Sequence, residues 1–372
     1  MRKLHKSLHF LFFIQFTISL HSQVIEGRVL DSKTQESLPG ATVYIDGTTI
    51  STITDQEGNF SINTRSSNAT LVVSFIGYTT HRLENPLQYV NKKLKVMLVE
   101  QSINLDEVVV GKGPFSRKQM MKVFREQFLG ESKAGSSCKI ENEDDIILYY
   151  DVSNNTLNAS ARNPLKIKNN HLEYEVNFDL EEFAVQYNYK SLDKFNLRQS
   201  LFSGTTFYKD ISKSKKADKR RKEAFYGSAI HFVLTVANNT WEKEDIRLFV
   251  EGFPANPDEY FRVDDTLALK KITLIKEPQK SVKKFKKEKG PSGHIVISDS
   301  KEYEMKPTNF NILYKKEKQS MVDFKEKVIY VDQNGNYSPI FGIIFGGYLG
   351  TLKAGDMLPS DYYQTIKEMQ KE

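Results

Sequence analysis

Three stretches of this sequence hold residues of the kinds that do chemistry. In "TDQEGNFSI", residues 54–62, an acidic turn could hold a cation. A calcium loop needs further oxygen ligands, ending in a bidentate carboxylate several residues on. After Gly58 come Asn59, Phe60, Ser61 and Ile62, with no acid. Asp55 therefore reads as the side-chain acceptor for turn amides, and Gly58 as a residue at positive φ in a hairpin. "DQNGNY" at 332–337 repeats this chemistry and predicts a second hairpin. The second stretch, "HRLE", supplies His81 and Glu84, with His231 far downstream. A His-x-x-Glu pair with a distant His can ligate a hydrolytic zinc ion. His81 falls within a strand region, however, so the pair reads as solvent-facing strand residues and no metal is expected.

The third stretch, "KRRKEAFYGSAIHF" at 219–232, sets Arg220, Arg221, Tyr226, Gly227, Ser228 and His231 close together. Ser228 and His231 lie three apart, as a nucleophile and base on one helical turn would. No G-x-S-x-G elbow accompanies them, and the spacing supplies no third orienting group. Arg221, Tyr226, Ser228 and His231 form the candidate polar cluster, read first as helix packing and capping. A hydrolase site around His231 and Tyr226 is the alternative.

The elements that must hold these residues begin after residue 22. "MRKLHKSLHFLFFIQFTISLHSQ" has a cationic start, an apolar run from Leu8 to Leu20 and a small residue at Ser22. That layout predicts a secretory signal peptide over 1–22, cleaved close to Ser22. No cysteine stands near the cleavage point, which argues against a lipid anchor. Losing Arg2, Lys3 and Lys6 takes the formal net charge from +6 to +3. So small a charge, in an exported chain, argues against nucleic acid as a partner. Cys138 is the one cysteine and cannot form an intramolecular disulfide. No later run of about 18 apolar residues reads as a membrane-spanning helix. At 372 residues, 39% of them hydrophobic, the chain has enough apolar material for two packed domains.

Residues 24–110 hold short runs rich in β-branched and aromatic residues, separated by turn residues. "VIEGRVLD", "ATVYIDG", "TISTITD", "GNFSINT", "ATLVVSFIGYTT", "KKLKVMLVE" and "LDEVVVG" predict about seven strands and a β-sandwich. The order G-x-V-x-D, L-P-G-A-x-V, T-D-x-x-G-x-F and S-x-I-G-Y, starting at Gly27, resembles the carboxypeptidase regulatory-like domain. The resemblance implies a transthyretin-like (prealbumin-like) sandwich over 23–110, without catalysis, of the kind carried by exported envelope proteins of Gram-negative bacteria.

Beyond Gly111 the pattern changes. Ser116 and Gln119 make a capping box, and Met120, Met121, Phe124 and Phe128 share one face of a helix that Gly130 ends. The segment at 172–189 alternates Leu172, Tyr174, Val176, Phe178 and Leu180 with polar neighbours and is expected to bulge at "EEF", giving an antiparallel sheet with one wet face. Phe225, Ala229, Phe232 and Val236 then predict one long helix, with Tyr226 and His231 off its apolar stripe. Two basic runs, "KSKKADKRRK" and "KEPQKSVKKFKKEKG", read as solvated loops that could touch an anionic membrane surface. The second, at 276–293, reads as a flexible insertion. "PIFGIIFGGYLG" at 339–350 reads as one or two buried strands with a glycine bend.

The segments "QFLGESKAGSSCKIEN", "LNASARNPLKIKNNHLEYEV", "KRRKEAFYGSAIHFV" and "AGDMLPSDY" are similar to the C-terminal region of uncharacterised proteins that carry the same regulatory-like domain. That likeness brings no activity with it. The sequence thus predicts a β-rich, two-domain chain: a seven-stranded prealbumin-like sandwich, then an α+β domain over 111–372 with a mostly antiparallel sheet. The expected role is an exported, non-enzymatic module in the periplasm or at the outer membrane, meeting an envelope protein or glycan. No cofactor is expected.

Overall fold

Alternation of apolar and polar residues every second position makes a strand with one buried face. In β1 (Gln23–Asp31), Ile25, Gly27 and Val29 are buried while Val24, Glu26 and Arg28 face solvent. The computed structural model describes residues 23–64, 69–101, 113–213, 215–266, 269–289 and 295–369. The expected signal peptide, the "LDEVVVG" strand, the boundary at 110 and Gly290 to Gly293 lie outside the described residues.

Six further strands complete the first unit: β2 (Thr42–Ile45), β3 (Ser51–Ile53), β4 (Asn59–Thr64), β5 (Thr70–Ser74), β6 (His81–Glu84) and β7 (Lys93–Leu98). They form two sheets, ordered β4-β1-β7 and β3-β2-β5-β6. Between them lie Ile25, Val29, Val43, Ile62, Leu71 and Leu98. Each such side chain contributes about 1.5–3 kcal/mol relative to leaving it in water. The "TDQEGNFSI" turn joins β3 to β4, which belong to different sheets, so it carries the chain across the sandwich and does not close a paired hairpin. Its chemistry is as expected: Asp55 Oδ1 accepts from the amides of Glu57 and Asn59 at 3.0 and 2.7 Å, and Gly58 sits at φ 78°.

The C-terminal part begins with α1 (Arg117–Phe128), opened by the Ser116–Gln119 capping box, and the short α2 (Lys133–Ser136). Six strands follow: β8 (Cys138–Ile140), β9 (Ile146–Asp151), β10 (Thr156–Ala161), β11 (Leu165–Asn169), β12 (Tyr174–Tyr187) and β13 (Leu197–Asp210). They make one antiparallel sheet in which β12 and β13 pair along their whole length, with a register shift at Leu180/Glu182 where the bulge was expected. Phe124 and Phe128 of α1 pack on its buried face against Phe178 and Phe183.

The expected long helix is two: α3 (Lys216–Phe225) and α4 (Ala229–Asn238). Gly227, at φ 87°, breaks it. A Cβ there would lie 2.8 Å from the Tyr314 ring, so the break brings α4 close onto the strand that carries Tyr314.

A second C-terminal core surrounds α4. The strands of this region are β14 (Ile246–Val250), β15 (Phe253–Pro254), β16 (Phe261–Thr266), β17 (Leu269–Leu274), β18 (Gln279–Lys289), β19 (Ile295–Pro307), β20 (Phe310–Tyr314), β21 (Lys318–Phe324), β22 (Val328–Val331), β23 (Tyr337–Ser338) and β24 (Ile343–Gly346), of which β18 and β19 stand outside the core. The sheets β15-β14-β20-β21-β24 and β16-β17-β22-β23 enclose Phe232, Val236, Trp241, Phe310 and Val322. The antiparallel expectation holds, but the strands divide among separate sheets over two cores.

Two further segments differ from their sequence reading. The lysine-rich stretch read as a flexible insertion is β18, paired antiparallel with β19 in a two-stranded ribbon. Charge keeps a segment out of a core but does not stop its backbone from pairing. "PIFGIIFGGYLG" gives β24 and the short helix α5 (Gly347–Thr351), with Ile343 and Leu349 buried and Ile340 and Phe341 exposed. The last element is α6 (Tyr362–Met369), and no described helix is long and apolar enough to cross a membrane.

The turn at Gly58 gives the first prediction. A Cβ at Gly58 would meet the Val29 carbonyl at 2.6 Å, on top of the positive φ. Gly58→Val should destabilise the sandwich by at least about 1–3 kcal/mol, while Asp55→Asn, which keeps the oxygen acceptor, should shift it far less. Denaturant unfolding of the full chain, followed with both variants, checks the order.

Candidate functional site

The residues of the polar cluster read from "KRRKEAFYGSAIHF" flank the break between α3 and α4, with Arg221 and His231 held by separate sets of partners. Each member has a structural occupation. Arg221 is almost wholly buried. Its Nη1 and Nη2 donate to the two Asp210 carboxylate oxygens at 2.7 and 2.8 Å. Nε and Nη2 also donate to the carbonyls of Leu172 and Glu173 at 2.8 and 2.9 Å. The guanidinium lies 3.8 Å over the Tyr174 ring. A cation so fully coordinated is a clamp, tying α3 to the ends of β12 and β13. The Arg221 guanidinium holds the Asp210 carboxyl down at about 2. Arg220 pairs with Glu173 beside it, so part of the first basic run is spent on packing and does not face solvent.

Ser228 is the N-cap of α4, its Oγ accepting from the His231 amide at 3.1 Å. Both ring nitrogens of His231 are engaged. The Gly227 amide can only donate, at 3.0 Å to Nδ1, which leaves Nε2 to donate to Glu244 Oε2 at 2.9 Å. Burial pushes the His231 pKa down, against the opposing pull of Glu244. The neutral ring is enclosed edge-on by Tyr226 and Tyr314, at 5.1 and 5.5 Å. Glu244 is thus the acid partner the sequence did not point to; nothing in "WEKEDI" distinguishes it from its charged neighbours. Ser228 Oγ and the His231 ring do not face each other as nucleophile and base. His81 and Glu84, at odd spacing on β6, point to opposite faces of the strand, and His81 is exposed. Among the described residues no group of three or more His, Cys, Asp or Glu side chains could hold a metal ion.

A concave feature lies elsewhere, where the sandwich meets the C-terminal part. The loop after β2 lays its backbone along β13: the Gly47 amide donates to the Thr206 carbonyl at 2.8 Å, and the Tyr208 amide to the Thr48 carbonyl at 3.0 Å. Asp46 Oδ1 accepts from the Thr206 amide at 2.6 Å. Burial pushes the Asp46 carboxyl up to about 6, against the backbone bonds that lower it. The C-terminal segment closes the joint, with the Ser360 amide donating to the Gly47 carbonyl at 2.7 Å and Thr49 Oγ1 to Asp361 Oδ2 at 2.6 Å. At this junction lies a cavity of about 490 Å³. Ile45, Phe178, Phe202, Phe345, Leu349 and Leu358 give it an apolar wall, and Asp46, Lys353, Asp356 and Ser360 supply polar groups. Phe225, Ser228 and Ile230 reach it; His231 does not line it. Sequence reading passed over these polar residues, although "AGDMLPSDY" and "YIDG" hold three of them.

The family model of the CarboxypepD_reg-like domain matches residues 25–110. The sandwich is of that kind. Over 97 residues this chain is 39% identical to TonB-dependent receptor SusC of Bacteroides thetaiotaomicron, covering 26% of this chain and 9% of the receptor. Over 92 residues it is 40% identical to TonB-dependent receptor P26 of Formosa agariphila, covering 25% of this chain and 9% of that receptor. The chain therefore spans about a tenth of the length of the curated relatives it matches. A solved structure from Bacteroides fragilis, described as membrane-associated and of unknown function, is 14% identical. It aligns over 77% of this chain and 97% of its own at a TM-score of 0.17, too loose to carry a comparison.

Two buried titrating groups give opposite pH signatures. The His231 pKa lies below its unfolded value near 6.5, so its contribution to stability is complete above that pH and is lost as pH falls. The Asp46 pKa lies above its unfolded value, so its contribution is complete in acid and is lost as pH rises through about 6. His231→Gln should be most destabilised relative to the parent at about pH 7, with a deficit that shrinks toward about pH 5. Asp46→Asn should gain on the parent over the reverse course. Denaturant midpoints of both variants and the parent across this range read the signs.

Proposed function

We propose that this chain is an exported, non-catalytic envelope protein in which the regulatory-like domain and the C-terminal part act together as a module binding an envelope protein or glycan. The observation that carries the reading is the match of residues 25–110 to a non-catalytic domain type that envelope receptors also contain. The joint between the two parts supports it: backbone pairing at Gly47 and Thr48 makes the sandwich a fixed continuation of the C-terminal surface rather than a tethered bead. Against the hydrolase alternative stands the ring of His231, with both nitrogens engaged and no access to the cavity.

A partner surface is offered by the loop between β12 and β13. It is closed by the Asn188 amide on the Asn196 carbonyl at 2.9 Å, and it holds Phe195 86% and Tyr189 58% exposed. Aromatic side chains held outward on an ordered loop are the usual anchors of a protein or glycan contact. Export is expected to leave Gln23 as the first residue of the mature chain.

Tagged full-length protein, cross-linked in cells and purified from envelopes, should bring down a defined partner and begin at Gln23. The Tyr189→Ala, Phe195→Ala double variant should lose most of that recovery while remaining folded. Recovery in the cytosol with Met1 retained, or no difference between parent and double variant, would refute the reading.

A further inference from the structure

The cavity at the junction has the composition of a small-molecule site. Its volume, about 490 Å³, lies within the range of about 300–1,000 Å³ common for such pockets, and its wall is mostly apolar with a few polar groups. Two of those groups lack what their environment calls for. Ser360 is 5% exposed, yet its Oγ has no hydrogen-bond partner among the described residues. A buried hydroxyl left in this state is costly. Lys353 is partly buried and makes no ion pair among the described residues, and burial alone pushes its pKa down. The two carboxylates in the wall already have donors. Asp46 takes the Thr206 amide, and Asp356 takes Ser132 Oγ at 2.6 Å and the Lys353 amide at 3.1 Å.

We propose that this cavity binds a small amphiphile with an apolar body and a single carboxylate, with Lys353 as counter-ion and Ser360 Oγ as hydrogen-bond donor. One cation matches one negative charge. Asp46 and Asp356 in the same wall are held by protein donors, but a phosphate dianion would bring a second negative charge beside them that Lys353 alone does not match, and a cationic ligand would face Lys353. The apolar tail lies against Phe178, Phe202, Phe345 and Leu349. Entry is past Ile340 and Met357, lining residues that are 64% and 42% exposed. Because Ile45 to Thr48 belong to the sandwich and Leu352 to Ser360 to the C-terminal part, the ligand holds both at once. This inference does not depend on the envelope partner proposed above.

Decanoate, kept below its micelle-forming concentration, is the probe, with decan-1-ol as the uncharged control. Titration calorimetry of the full chain should give saturable binding of one decanoate per chain and a raised melting temperature, with decanol at least about tenfold weaker. Lys353→Met keeps the apolar stem and should weaken decanoate binding about tenfold while leaving decanol unchanged. Ser360→Ala should weaken it several-fold, with the unliganded melting temperature equal to or above the parent's. No saturable binding, equal affinity for decanoate and decanol, or binding indifferent to Lys353→Met would overturn the proposal, and indifference to Ser360→Ala would remove Ser360 from it.

Discussion

A guanidinium cannot release its proton, so once buried it must be surrounded by acceptors. Arg221 is that constraint here. Its bonds to Asp210, Leu172 and Glu173 fix α3 across the ends of the two longest paired strands, β12 and β13. From that anchor α3 runs to Phe225, Gly227 turns the chain, and α4 enters the second core. Replacing such an ion pair by well-packed apolar residues can be neutral, but removing one partner alone leaves a buried charge uncompensated. The clamp therefore sets geometry more than it adds net stability: it determines where the two C-terminal cores meet.

The same strand, β13, receives the sandwich. Side-chain contacts between domains tolerate sliding, but backbone pairing fixes register, and here the pairing runs through Gly47 and Thr48. Asp46 reinforces it at the cost of burying a carboxylate, with Tyr44 OH close to Thr205 Oγ1 at 3.2 Å and Arg82 bridging Asp179 and Glu181 around the edge. The cavity is a product of this arrangement, because three cores packed around one strand end do not fill the space between them.

Where local chemistry decides structure, the sequence was legible. The Ser116 capping box and the bulge in "EEF" form as read, and both Asp-x-x-Gly-Asn segments turn with the expected chemistry, though only the second closes a hairpin. At the second turn Asp332 Oδ1 accepts from the amides of Asn334 and Asn336 at 2.8 and 3.0 Å, with Gly335 at φ 91°. The readings fail where tertiary contact decides. The apolar stripe through Phe225 and Phe232 was continuous, and only the Tyr314 ring against Gly227 shows why it breaks. A lysine-rich run became a strand because its partner, β19, supplied the hydrogen bonds that its own composition gave no sign of. The polar residues of "KRRKEAFYGSAIHF" stood out in the sequence, yet their roles as clamp, cap and buried neutral ring depended on Asp210 and Glu244, which only folding brings near. Lys353 and Ser360 gave no signal, since a missing partner is visible only in three dimensions.

The clasp between Thr49 and Asp361 joins residues 312 positions apart. Closing so long a loop is entropically costly only once, but it can happen only late. During synthesis the sandwich has all seven strands available long before Ser360 and Asp361 emerge, so the loop at 46–49 is complete while its final contact does not yet exist. The joint is therefore built in two stages: Gly47 and Thr48 can pair with β13 once Tyr208 is made, and Ser360 and Asp361 lock that pairing only when the end of the chain arrives.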